Sequence, residues 1–253
     1  GRRGFAPDPR DAVTRGTQTH RGFTVDNVLH SSAHGDIHFH LSLPAGYDGT
    51  APHALFITLP GWQGLYFQGV GANLRTEEFA FEAQAHRDDM IVVAPQLSDW
   101  GRTSADQTIA LTEHLLATYA IDRGHVFLEG YSGGGETASL AAASRPDLFC
   151  AVLHCASRWD GDLAAVAGAR LPVRFVVGEH DEYYGAEPDR ASHDQLVSLY
   201  TAQGLDADES ARLAVLDVKP DSYFSSRGVS DQCGAGAALI ARDEEILKWL
   251  FDR

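Results

Sequence analysis

Ser132 stands in Gly130-Tyr131-Ser132-Gly133-Gly134-Gly135, directly after the apolar run His125-Val126-Phe127-Leu128-Glu129 and before a stretch of helical spacing over 136–144. A serine between glycines, where a strand turns sharply into a helix, is the arrangement that serine acyl-transfer chemistry needs. The turn demands backbone angles that most side chains resist, and flanking glycines let strand and helix approach without Cβ clashes. The helix N-terminus adds positive potential where an oxyanion develops. The competing reading of Gly130–Gly135 is a loop that binds phosphate or merely reverses the chain, and the flanking strand and helix favour the nucleophile.

Acyl transfer also needs two amide donors and an acid. The Gly133 amide follows the serine. The strand 54–59 ends in Pro60-Gly61-Trp62-Gln63-Gly64, so the Trp62 amide is the expected second donor. The strand 173–177 runs into Gly178-Glu179-His180-Asp181-Glu182-Tyr183-Tyr184, which places Asp181 at a carboxyl end, where an acid would orient an imidazole. Glu179 and Glu182 are neighbouring alternatives, and a solvated acidic loop is the plain one. Tyr66 and Phe67 sit in a glycine-bounded loop beside the expected donor, and Trp159 and the pair Tyr183-Tyr184 follow strand ends, so these aromatics, with Tyr66, Trp159 and Tyr183 foremost, are expected to rim a cleft for substrate. His30, His34, His38 and His40 crowd one predicted hairpin. Without further converging ligands they are expected to be solvated edge histidines, and no metal or organic cofactor is assigned.

The elements that must hold these residues follow from periodicity. Residues 1–20 lack any period and are expected to form an N-terminal arm, with one domain over 21–253. Strand-like runs at 24–32 and 37–43 form an antiparallel edge hairpin around Ala33-His34-Gly35-Asp36. Then apolar strands at 54–59, 90–94, 125–129, 150–154, 173–177 and 212–218 alternate with helices at 77–86, 104–119, 136–144, 193–203 and 243–251, with Ser104 as a candidate cap. Short apolar strands separated by helices mean an α/β fold, a mostly parallel sheet covered on both faces. The segment between the strands at 150–154 and 173–177 is too short for a large lid, so an open site is expected.

The whole composition fits that picture. Of 253 residues 44% are hydrophobic and 22% charged, and no apolar run reaches the roughly 20 residues of a membrane span. A net charge of −15 repels nucleic acid, so the partner is expected to be a small molecule or polymer end, with a cationic substrate the less favoured explanation of the acidity. Cys150, Cys155 and Cys233 are too few for a disulfide scaffold, and compartment and oligomeric state are not legible.

From about Gly46 to Arg253 the chain resembles α/β-hydrolases of the esterase and prolyl-oligopeptidase-like group, the branch related to feruloyl esterases and polyester depolymerases. The resemblance rests on Leu59-Pro60-Gly61, Gly130–Gly135, Gly178-Glu179-His180-Asp181 and Ile246-Leu247-Lys248-Trp249-Leu250. It implies hydrolysis of an ester, thioester or amide through an acyl-serine, without metal or cofactor. It also implies a histidine base on the loop before the last helix, yet residues 219–241 contain none. The position falls near Cys233, less so Asp231. The alternatives are a base from elsewhere (His154, His180 or His193), a base lost at Cys233 so that the protein binds or turns over slowly, a non-hydrolytic elimination or cyclisation, and a functional Cys233 thiol.

Overall fold

In the computed structural model, which describes residues 11–253, the centre of the molecule is the strand β5 (His53–Leu59). Its side chains are apolar on both faces, so it can only lie buried: Leu55, Ile57 and Leu59 pack into one core and Phe56 into another. β5 pairs in parallel with β6 (Ile91–Gln96) on one side and β7 (Ile121–Tyr131) on the other. Beyond β7 the parallel sheet continues through β8 (Ala151–Cys155), β9 (Val173–Gly178) and β10 (Ala214–Lys219). On the other side β6 meets the antiparallel hairpin of β3 (Phe23–Ser31) and β4 (Gly35–Ser42). Two short strands drawn from the expected arm, β1 (Ala12–Thr14) and β2 (Gln18–His20), extend the sheet by pairing with β3. The strand order reverses at β5, and there the carboxyl ends of β5 and β7 diverge to open a crevice.

Helices cover both faces. α3 (Arg102–Thr118), α4 (Gly133–Ser144), α5 (Leu163–Ala169) and α6 (Glu187–Ala202) bury Ile109, Ala141, Val166 and Leu196 against one face. α2 (Phe79–His86), α9 (Gly236–Ala241) and α10 (Glu244–Phe251) bury Phe79, Ile240 and Leu250 against the other. Between β8 and β9 the only helix is the seven-residue α5, so this segment inserts no large lid over the crevice.

Several expected boundaries shift for local reasons. Ser104 does not cap α3: the helix begins at Arg102 behind Gly101, and the Ser104 hydroxyl donates instead to Asp99 Oδ1 (2.5 Å). The strand expected over 212–218 starts at Ala214, because Asp206 and Glu209 form a reciprocal capping box that nucleates α7 (Ala207–Leu213). α6 starts at Glu187, earlier than the apolar periodicity suggests, with Pro188 in its first turn.

The hairpin histidines are not uniformly solvated. His40 is fully buried on β4. Its Nδ1 accepts from the Asp26 amide (3.0 Å), which fixes the proton on Nε2, and Nε2 donates to Gln96 Oε1 (3.0 Å). Burial pushes its pKa down to about 4. Gln96 Oε1 also accepts from the Gly71 amide (2.9 Å), while its amide nitrogen donates to the carbonyls of Leu65 and Gly69. One side chain at the end of β6 thus ties the 65–71 loop to the sheet. The histidine form that makes this contact is neutral, so its stability is complete above about pH 6.5 and is lost as pH falls toward about 4. Gln96→Ala orphans several of these buried groups and is expected to cost about 2–4 kcal/mol in urea unfolding at neutral pH; a loss under about 0.5 kcal/mol refutes the anchoring role.

Candidate active site

The elbow is built by close backbone approach. A Cβ on Gly134 would lie 2.4 Å from the Leu59 carbonyl oxygen, and one on Gly130 would lie 2.2 Å from that of Gly134. Only glycine therefore lets α4 start against the ends of β5 and β7. Between them Ser132 adopts φ 54° and ψ −124°, a conformation that costs a non-glycine residue on the order of 1–3 kcal/mol. Surrounding hydrogen bonds hold it there: its amide donates to the Cys155 carbonyl (2.9 Å), and its carbonyl accepts from the Gly135 amide (2.8 Å) and the Ser157 hydroxyl (2.5 Å).

Ser132 opens into a cleft of about 1020 Å³ that it shares with Trp62, Tyr131, Gly133, Tyr183 and Cys233. Gly133 is the first residue of α4, where an amide has no intrahelical acceptor. Trp62 begins a 3-10 turn just past β5, its indole 54% exposed at the rim and edge-on to Phe67. Trp62, just past β5, and Gly133, just past β7, thus line the cleft together with the serine.

Cys233 and Asp181 stand behind it. The Cys233 thiol is buried and lines the same cleft as Ser132, with the Ala156 carbonyl oxygen 3.8 Å and the Tyr131 hydroxyl 4.0 Å away. Burial, reinforced by the Asp181 charge, pushes this thiol up to about 12, so it is protonated at neutral pH. Asp181 is buried too. Its Oδ1 accepts from the amides of Tyr183 (2.9 Å) and Tyr184 (2.7 Å), while Oδ2 is buried with no partner. Glu182, the alternative acid, uses its two oxygens on the amides of Gln232 and Cys233 (both 2.9 Å) and so holds the backbone of the loop that carries Cys233. Glu179 accepts from the Asp221 amide at the surface, and Asp231 accepts from the Ala235 amide at the cleft.

None of the three candidate histidines reaches the cleft. His154 is fully buried under Trp159, donating from Nε2 to the Arg158 carbonyl (3.0 Å), and burial lowers its pKa to about 4. His180 is exposed and bonded to Asp221 (2.8 Å), which raises its pKa; with Glu179 they form an exposed trio of metal-type donors whose members already bond one another and their neighbours. His193 packs on α6 against the Ala214 carbonyl.

The aromatic rim is partly as expected. Tyr183 lines the cleft and is 78% exposed. Trp159 does not: it is buried between His154 and Phe175, because the chain after β8 folds it inward onto the core. Tyr66 also lies outside the cleft, stacked on His38 with ring centroids 3.9 Å apart. Tyr184 lines the cleft beside Tyr183, as expected of the pair. Sequence reasoning missed Trp100, which packs over Gly133, and Glu136 in the first turn of α4, which is pushed up to about 6 by burial and the nearby Asp160. A carboxylate four residues past an elbow serine was the available signal for Glu136.

Residues 97–161 match the prolyl oligopeptidase family, while a search of the curated proteins returns no match. Among solved structures, a thermostable esterase superposes with a TM-score of 0.72 at 19% identity, over 91% of this chain and 63% of its own, so the chain spans under two thirds of that protein. S-formylglutathione hydrolase from Staphylococcus aureus gives a TM-score of 0.62 at 12% identity, covering 96% of this chain and 98% of its own. A glucuronoyl esterase from Solibacter usitatus gives 0.62 at 10% identity, covering 96% and 87%. Sheet order, glycine-packed elbow and these superpositions agree that the chain has the α/β-hydrolase fold shared with the esterase and prolyl-oligopeptidase-like group.

Proposed function

We propose that this protein is a serine hydrolase that cleaves carboxylic esters through an acyl-enzyme on Ser132, and that Cys233 in the place of the base makes its turnover slow. The observation that carries the reading is the strained positive-φ backbone of Ser132 at the mouth of a cleft that the buried Cys233 thiol also lines, with the Asp181 charge close to that thiol. In this scheme Oγ attacks the acyl carbon, the carbonyl oxygen takes the negative charge opposite the Trp62 and Gly133 amides, and the alcohol leaves with a proton. Water then releases the acid and restores the hydroxyl.

The difficult step is removal of the Ser132 proton. A thiol held protonated to about 12 donates rather than accepts, so it does not relay the proton as an imidazole would. Esters suffer less from this than amides, whose amine leaving group must be protonated, and peptidase activity ranks second. The open, aromatic-rimmed cleft suits a bulky acyl or aryl group or a polymer end.

The rival is a member of the fold that binds ligands, or transfers protons without hydrolysis, and the protonated thiol is what favours it. A fluorophosphonate separates the two: slow covalent labelling of the wild type, abolished in Ser132→Ala, is expected, and no labelling at all supports the rival. Cys233→His is expected to raise esterase turnover ~10²–10⁴-fold, because the loop backbone is already held by Glu182 and Asp181 Oδ2 gains an imidazole to accept from. Unchanged or lower turnover in a folded variant rejects the assignment of position 233.

A further inference from the structure

Beneath the cleft two glutamates are buried where no carboxylate is expected, each held by a residue at or just past the end of β5. Glu129 lies on β7 three residues before Ser132, fully buried, and opposite Thr58 of β5 in the parallel register. Glu77 follows α1 (Ala72–Thr76) and enters from the cleft side, 8% exposed. Each has one oxygen satisfied. Glu77 Oε1 accepts from the Gly61 amide (2.7 Å), and Glu129 Oε2 accepts from the Thr58 hydroxyl (2.9 Å). Each has one oxygen left over, Glu77 Oε2 and Glu129 Oε1, buried with no partner.

Two unpartnered carboxylate oxygens in a dry interior cannot both stay charged. Desolvation costs several kcal/mol per ion, and like charges close together add to it. Burial raises the pKa of both groups, and the charge of Glu77 raises Glu129 further. The titratable groups that face the pair are Tyr131, at the end of β7, and Cys155, on β8; burial holds both neutral, and neither side chain type can carry a positive charge. From α1, Asn73 donates to the carbonyls of Thr58 and Pro95 and closes the same region. A shared proton is the arrangement that satisfies both leftover oxygens at once.

The pair also has a position. Gly61 precedes Trp62, and a Cβ at Gly61 would lie 3.1 Å from the Tyr131 ring and 3.4 Å from Ser132 Cβ. We propose that Glu77 and Glu129 share one proton across Oε2 and Oε1, forming a buried acid clamp that fixes the Gly61–Trp62 turn at its working distance from Ser132. They are positioning residues: neither reaches the reacting atoms. The catalytic half of this inference rests on the acyl-serine reading; the shared proton does not.

Two readouts test the clamp. The folded protein retains a proton that the unfolded chain gives up near pH 4.5, so this contribution to stability is full below that value and is lost as pH rises toward about 8. Thermal midpoints of wild type should therefore fall relative to Glu77→Gln/Glu129→Gln between pH 5 and 8, the double amide keeping the hydrogen bonds without the titration. Equal slopes overturn the shared proton. In a Cys233→His background, Glu77→Gln should keep its fluorophosphonate labelling rate within about threefold, because the amide still accepts from Gly61 and donates to Glu129. Glu77→Ala should slow labelling at least tenfold. Equal rates for Gln and Ala overturn the positioning role; should the alanine variant not fold, a tenfold loss in Glu77→Gln overturns it instead. Differing slopes with no labelling in any variant would reject the acyl-serine reading and leave the acid pair standing.

Discussion

Everything at the cleft depends on how closely α4 can start against the ends of β5 and β7. A helix that begins flush with two parallel strands needs carbonyls and α-carbons within reach of a methyl group, and Gly130 and Gly134 supply that clearance. The strain this places on Ser132 is held by bonds from β8 and the chain after it, through the Cys155 carbonyl and the Ser157 hydroxyl. The serine is thus positioned by three strand ends rather than by its own loop. That explains why residues distant in sequence, from Gly61 to Cys233, converge on one hydroxyl.

Around this elbow the polar interior is divided by charge state. Glu182 spends its charge on backbone amides, burial raises the pKa of Glu77 and Glu129, and His40 and His154 are kept neutral. Asp181, with one oxygen on two amides and the other unpartnered, stands beside a thiol that offers it no cation.

The parts legible in the sequence were those set by local pattern. The alternation of apolar strands with helices gave the sheet, and glycine spacing located the elbow, because both follow from nearest-neighbour geometry. The place of Asp181 just past the carboxyl end of β9 was legible too. What was not legible depends on tertiary placement: Trp159 reads as a rim residue by position but is folded onto Phe175, and His40 reads as an edge histidine but faces Gln96 across the sheet. Glu77 and Glu129 look like ordinary surface acids in the chain; only the register of β5 with β7 and the return of α1 bury them together.

The grip of Glu182 on the amides of Gln232 and Cys233 has a further consequence. Because the loop is fastened through its main chain, the identity of the side chain at 233 is largely decoupled from foldedness. Mutation can explore that position, gaining or surrendering reactivity, while the scaffold around it persists.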